Sequence, residues 1–310
     1  MKKVIVIVAG VILFLIIGSF AALFAFNAFF NKSVTGDDGV QAGYHTKLTP
    51  TAPLEAKYAK PGPYEVEHQF NNDEHLFYPK PGEHTPENFP LVVMSNGTHT
   101  PVSTYEPVLE HLASWGFVVA GNEADSSGDG TSNSATLDHA INQANDPESP
   151  LYQRILLDHI GMSGHSQGGA GAINAITNFE NGKRFTSLYT ASAVNQSIAH
   201  SNNWDYDTSK ITIPYFMMAG TGNQDHYLIS PLSSAQENYE RITSNTPTIL
   251  ARRIDVDHKD VLEYGDAYMT AWFLWTLSDD QEAKQVFVGD DAELLSNKDW
   301  QDVQMKNLPS

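Results

Sequence analysis

Lys2 and Lys3 lead into an apolar run from Val4 to Phe30 that only Gly10, Gly18, Ser19 and Asn27 interrupt. Wound as a helix, that run would be about 40 Å long, enough to cross a ~30 Å hydrocarbon layer with some tilt. The two lysines favour an inside amino terminus, which places the rest of the chain outside the cytoplasm. The rival reading is a cleaved signal peptide, with Val4–Ile17 as its apolar region and Ser19-Phe20-Ala21 as a small-x-small cleavage site, leaving a secreted protein. The apolar run continues well past Ala21, which favours an uncleaved membrane anchor over residues 1–31. Residues 32–63, with Gly36, Gly39, Gly43, Pro50 and Pro53, read as an extracytoplasmic tether.

At Tyr64 the pattern changes. Tyr64–Phe70 and Leu76–Tyr78 alternate apolar and polar positions as half-exposed strands do, with Asn71-Asn72-Asp73 as the turn. Leu91–Met94 and Phe117–Ala120 are continuous apolar runs of the kind buried on both faces. Between them, Val108, Leu109 and Leu112 share one face of a helix over 107–114, with Gly116 as its stop. Leu137–Ala144 is a weaker helix. Ile160–Met162, Leu188–Ala193, Pro214–Ala219 and Ile249–Ile254 supply further strands, while Ala170–Thr177 and Tyr268–Leu277 read as helices. Strands alternating with helices predict one α/β domain over residues 64–310, a mostly parallel sheet with helices on both faces. No repeat and no second domain is visible.

Composition narrows the function classes. The chain has 310 residues with 18 basic and 37 acidic side chains, a formal charge of −19. Residues 1–36 hold three of the lysines and no acid, so the remainder sets 15 bases against 37 acids and carries −22. Such a surface repels phosphate backbones, which argues against nucleic acid as a partner. The absence of cysteine excludes thiol catalysis, thiolate metal sites and disulfides.

Gly164-His165-Ser166-Gln167-Gly168 fits G-x-S-x-G, with an apolar strand just before it and a small-residue helix just after. The glycines permit a sharp strand-to-helix turn that would lift the Ser166 hydroxyl toward the positive end of the helix. Without a base this would be a tight turn with an idle serine. Three histidines follow: His200, His226 and His258. His258 sits in the loop after the Ile249–Ile254 strand, where the last strand should deliver a general base. The acid should come from the loop after the preceding strand, which ends in Gly220-Thr-Gly-Asn-Gln-Asp225. Asp225 is therefore the candidate that holds the imidazole tautomer. Two backbone N–H donors should face the developing oxyanion: Gln167, next to the nucleophile, and Thr98, in the loop after Leu91–Met94. His99 and Asn195 are candidates to line the pocket. No dinucleotide fingerprint and no histidine pair at metal-ligand spacing is evident, so the reading needs no cofactor and no metal.

The order strand, Asn96-Gly-Thr98, a helix ending in Ser114-Trp-Gly-Phe-Val-Val119, then Gly164-His-Ser-Gln-Gly-Gly169, Asp225 and His258 resembles the α/β-hydrolases. The resemblance spans Tyr64 to Leu277 and points to the branch of chlorophyllase-like esterases, bacterial cutinases and polyester hydrolases. It implies triad roles for Ser166, Asp225 and His258, and oxyanion roles for Thr98 and Gln167. Polyester hydrolases usually carry an aromatic residue where Thr98 falls and a tryptophan in the loop after the Leu188–Ala193 strand; this chain reads Val194-Asn195-Gln196 there. They often have a disulfide as well, which this chain cannot form. About 40 residues separate Ala120 from the elbow, with no insertion large enough for a lid. The expectation is a serine carboxylesterase acting on short-chain or exposed esters, small or polymeric. Acyl transfer to an envelope hydroxyl shares its first half-reaction, and a catalytically silent binding module would keep the fold without the chemistry.

Overall fold

The computed structural model describes residues 48–309. The anchor expected over residues 1–31, and most of the tether, lie outside them. Among the described residues, no helix is long and apolar enough to cross a membrane.

The last part of the expected tether is folded. Helix α1 (Pro53–Tyr58) buries Tyr58 against the Trp115 ring, centroid to centroid 5.2 Å. Its first N–H groups, on Leu54 and Glu55, donate to the Glu293 carboxylate at 2.6 and 2.8 Å. Glu55 meets Arg253 at 2.7 Å in a fully enclosed ion pair. Burial nonetheless outweighs the attraction of Arg253 and raises the Glu55 carboxyl above its usual range. The domain edge thus lies before residue 64. The sequence hid this because a six-residue helix beside glycines and prolines shows no periodicity.

Strands β1 (Val66–Asn71) and β2 (Glu74–Pro79) form the expected hairpin, turned by Asn72 and Asp73, both at positive φ. Next come β3 (Phe89–Ser95), α2 (Glu106–Ser114), β4 (Val118–Asn122), α3 (Thr131–Asn145), β5 (Ile155–His165), α4 (Gln167–Asn178) and β6 (Phe185–Ala191). They are followed by α5 (Gln196–Ser201), β7 (Tyr215–Gly220), α6 (Asn223–Tyr227), α7 (Leu232–Arg241), β8 (Thr248–Arg253) and α8 (Val261–Ser278). Short helices α9 (Gln281–Lys284) and α10 (Glu293–Ser296) precede the last strand, β9 (Trp300–Lys306).

The nine strands form one sheet, β1-β2-β4-β3-β5-β6-β7-β8-β9, parallel from β4 through β8 and antiparallel at both edges. This is the α/β-hydrolase architecture. Side chains alternate across it: Val92, Met94, Phe216 and Met218 join the core built with α2 and α8, while their neighbours point to the other face, where α3 and α4 pack on each other. Helix α8 is apolar nearly all round because it is enclosed nearly all round. Strand β9 was not anticipated, since its sequence, Trp-Gln-Asp-Val-Gln-Met-Lys, belongs to a half-exposed edge. Parallel order brings the carboxyl ends of β3, β5, β6, β7 and β8 to one rim, and the loops there carry every candidate site residue. The connection from β6 to β7 holds only α5 and a single 3₁₀ turn, which is too little for a lid.

One half-buried carboxyl outside the site makes a testable point. Burial pushes Glu74 up to about 7, although Thr136 donates to it at 2.8 Å. A carboxyl whose folded pKa lies above its unfolded one contributes stability below the unfolded value, and that contribution is lost as pH rises through about 7. Glu74→Gln should therefore raise the melting temperature at pH 8.5 by roughly 2 °C and leave it nearly unchanged at pH 4.5, allowing for partial solvent screening. Equal shifts at both pH values in a thermal melt would contradict this.

Candidate active site

Strand β5 ends at His165 and α4 begins at Gln167, so Ser166 alone makes the turn, at φ 59° and ψ −124°. For a residue with a side chain this is a strained backbone, costing on the order of 1–3 kcal/mol. The flanking glycines make it possible. A Cβ on Gly164 would lie 2.2 Å from the Gly168 carbonyl oxygen, and one on Gly168 would lie 2.2 Å from that of Ser95. The elbow is locked by Ser166 N–H donating to the Ala191 carbonyl at 3.0 Å.

The structure brings Ser166, His258 and Asp225 together from three loops. His258 Nε2 lies 2.8 Å from Ser166 Oγ, and His258 Nδ1 lies 2.8 Å from Asp225 Oδ1. Asp225 is fully enclosed; Ser166 and His258 are 6% and 5% exposed. The second Asp225 oxygen accepts from the Ser192 hydroxyl in a short hydrogen bond and from Gly220 N–H at 2.9 Å. Burial alone would raise the Asp225 carboxyl, but the neighbouring His258 and the hydrogen bonds from its Nδ1, from Ser192 and from Gly220 outweigh it and hold the group below its ordinary value. A carboxylate kept ionised beside Nδ1 directs the imidazole lone pair of Nε2 at the serine hydroxyl. That arrangement can remove the hydroxyl proton as Ser166 attacks an electrophile.

Thr98 and Gln167 face each other across the elbow. Their side chains are 2.8 Å apart, and turning the Gln167 amide so that its nitrogen donates to Thr98 Oγ1 also lets its oxygen accept from Ser127 and Gly128 N–H. His99 N–H is occupied by the Asp125 carbonyl at 3.1 Å, whereas among the described residues no turn, loop or cap carbonyl takes up the N–H of Thr98 or Gln167. These two N–H groups stay the candidates to face an anion beside Ser166.

A family model described as PET hydrolase-like matches residues 62–304. The chain belongs to the PET hydrolase-like family. It is an ester hydrolase of that polyester and cutin-type group. No curated protein matches the chain.

Within this PET hydrolase-like domain, one expectation needs adjustment. Asn195 does not offer a free amide to the pocket. Its Oδ1 caps α5 by accepting from Ser197 and Ile198 N–H at 3.0 Å each, and its Nδ2 donates to the Leu228 carbonyl at 2.6 Å. An Asn followed by a short helix is a capping signal, which the polar surroundings obscured. His99 is exposed at positive φ in the loop after β3, where it can still line a pocket. Trp204, later in the connection from β6 to β7, packs against Gly128 in the loop after β4, where a Cβ would come within 2.4 Å of the ring.

Two supporting residues were not anticipated. Ser192 looked like an ordinary residue at the end of a strand, but φ 48° turns its hydroxyl onto Asp225. Asp257 ties the acid loop to the base loop: its Oδ1 accepts from Gln224 N–H at 2.8 Å and from His258 N–H at 2.9 Å. Its closeness in sequence to His258 hides a role that needs the α6 amino terminus to be in place.

Proposed function

We propose that the protein is a serine carboxylic-ester hydrolase working through an acyl-enzyme, with short-chain or exposed esters as its substrates. The observation that carries this reading is the continuous Ser166–His258–Asp225 hydrogen-bond chain at a strained elbow. Ser166 Oγ attacks the ester carbonyl carbon while His258 Nε2 takes its proton. The N–H groups of Thr98 and Gln167 hold the resulting oxyanion, each contributing about 3–4 kcal/mol to the transition state. As the tetrahedral adduct collapses, His258 returns the proton to the leaving alcohol. Water then attacks the Ser166 ester in the same sense and frees the acid.

The size preference rests on the lid-free connection from β6 to β7 and on Thr98, which puts a small side chain where a stacking aromatic would grip an aromatic polymer. Discrimination of up to about 1–3 kcal/mol per methylene that the pocket cannot house implies a marked decline with acyl length. A rate series from two- to sixteen-carbon p-nitrophenyl esters, with an aromatic polyester film alongside, should give its highest kcat/KM at short chains and slow release of aromatic acid. A peak at twelve carbons or beyond would overturn the preference. Fast release from the film would instead support a polymeric substrate, the second reading, which the family match favours. The apolar run of residues 4–30 supports action at the outer face of a membrane, or secretion if that segment is removed.

A further inference from the structure

His165, the residue between the elbow strand and the nucleophile, is buried and hydrogen-bonded at both ring nitrogens. Nδ1 lies 2.9 Å from the Tyr105 hydroxyl, and Nε2 lies 3.1 Å from the carbonyl oxygen of His258. Tyr105 in turn lies 3.2 Å from Gly97 N–H. We propose that Tyr105 and His165 are positioning residues that tether the oxyanion loop to the backbone of the general base. The chain runs Gly97 N–H to Tyr105 Oη, Tyr105 O–H to His165 Nδ1, and His165 Nε2–H to the His258 carbonyl. This inference rests on the serine-hydrolase reading of the site.

The direction of the chain follows from its ends. A carbonyl oxygen only accepts, so Nε2 carries the proton; a neutral imidazole has one N–H, so Nδ1 must accept. The Tyr105 hydroxyl therefore spends its proton on His165 and has lone pairs left for Gly97. Burial, reinforced by the neighbouring His258, lowers His165 to about 3, so the ring stays neutral and the direction does not reverse in ordinary buffers. A protonated ring would present N–H at both nitrogens and break the link to the tyrosine.

The geometry leaves little slack. A Cβ on Gly97 would come within 2.8 Å of the Tyr105 hydroxyl, 3.3 Å of His165 Nδ1 and 3.6 Å of Ser166 Cβ. Gly97 thus has room only as glycine, and its peptide sets where the next N–H, that of Thr98, points. Tyr105 is fixed from behind, because its 3₁₀ turn (Val102–Tyr105) is pinned where Glu123 accepts from Ser103 N–H at 2.9 Å and from its hydroxyl at 3.0 Å. The His165 and His258 rings lie 4.8 Å apart, so the same residue also limits how far the general base can move. Neither Tyr105 nor His165 needs to touch the substrate. Their effect would be on alignment of groups already bound, which enters kcat rather than KM.

The test combines two variants with one measurement on the unaltered chain. Tyr105→Phe keeps the ring and its edge-on contact with His165, 5.8 Å at 80°. It should lower kcat on a short p-nitrophenyl ester roughly ten-fold or more, with KM changed by less than about two-fold. His165→Phe should do the same. Because the chain acts as a unit, the double variant should be about as slow as the slower single. In the unaltered protein, nitrogen-15 NMR should show His165 with Nε2 protonated and Nδ1 as a bare acceptor, a readout that stands even if a variant fails to fold. Tyr105→Phe at full kcat, losses that multiply in the double variant, or an Nδ1–H resonance would each overturn the inference. Such a result alongside an inactive Ser166→Ala would leave the serine-hydrolase reading standing; an active Ser166→Ala would remove that reading itself.

Discussion

Replacing Ser166 or His258 by alanine is expected to lower kcat on a short p-nitrophenyl ester by about 10⁵- to 10⁶-fold, and replacing both is expected to cost little more than replacing one. The reason is geometric. His258 Nε2 and Ser166 Oγ share one hydrogen bond of 2.8 Å, so neither group does useful work once the other is gone. Asp225→Asn should cost about 10⁴-fold. An amide there can donate to Nδ1, which would favour the wrong tautomer, and it removes the charge that His258, Ser192 and Gly220 hold in place. The Ser166 and His258 variants should melt close to the parent, because both residues lie at the end of the sheet and not in its core. Steady-state rates with a melting curve decide the matter. A folded Ser166→Ala or His258→Ala that keeps near-normal rates would refute the triad.

The amino-terminal boundary carries the second large effect. A chain beginning at Leu48 should be soluble without detergent and fully active, because it keeps α1. A chain beginning at Tyr64 should fail to fold or lose most of its stability. It would lack the buried Tyr58, worth about 2–3 kcal/mol, and would leave Arg253 with only the more exposed Asp299, 3.4 Å away, in place of its enclosed partner Glu55, a loss of up to about 3–5 kcal/mol. The sum is comparable to the whole stability of an ordinary domain. Further losses come at the Lys60 carbonyl, which accepts from His111 and Trp115 at 2.9 Å each, and at Gly62 N–H, which donates to Ser114 at 2.7 Å. Expression of both truncations and urea unfolding of each would check this. A stable, active chain beginning at Tyr64 would show that α1 is dispensable. Detergent dependence of the chain beginning at Leu48 would sink the anchor-and-tether reading of the preceding residues.

What the sequence made legible follows from what leaves a local imprint. Continuous apolar runs such as Leu91–Met94 and Phe117–Ala120 are what a strand buried on both faces requires, and they gave the parallel centre of the sheet directly. The elbow was legible because a strained serine needs glycines on both sides, at fixed spacing. Asp225 and His258 could be placed because parallel strands deliver their loops to the same rim. The rest left no local imprint. Strand β9 is an edge, with polar residues turned outward, and β8 supplies its partner from far away in the chain. Helix α1 is too short for periodicity, and its importance comes from Arg253 and Glu293, about 200 residues or more further on. Ser192 and Asp257 act through the positions of other loops, and Asn195 was a cap that resembled a free pocket amide. Tyr105 lies in a short 3₁₀ turn ahead of a helix, and nothing there signals that its hydroxyl reaches the elbow.

The central claim is that Ser166 is the nucleophile. The most direct measurement is labelling of the intact protein with a fluorophosphonate, followed by mass spectrometry of its peptides. One adduct per chain is expected, on the peptide carrying Ser166, with esterase activity falling in step with labelling and no adduct in His258→Ala on the same timescale. Esterase activity that survives complete labelling of Ser166, or an adduct at a different residue accompanying its loss, would contradict the claim.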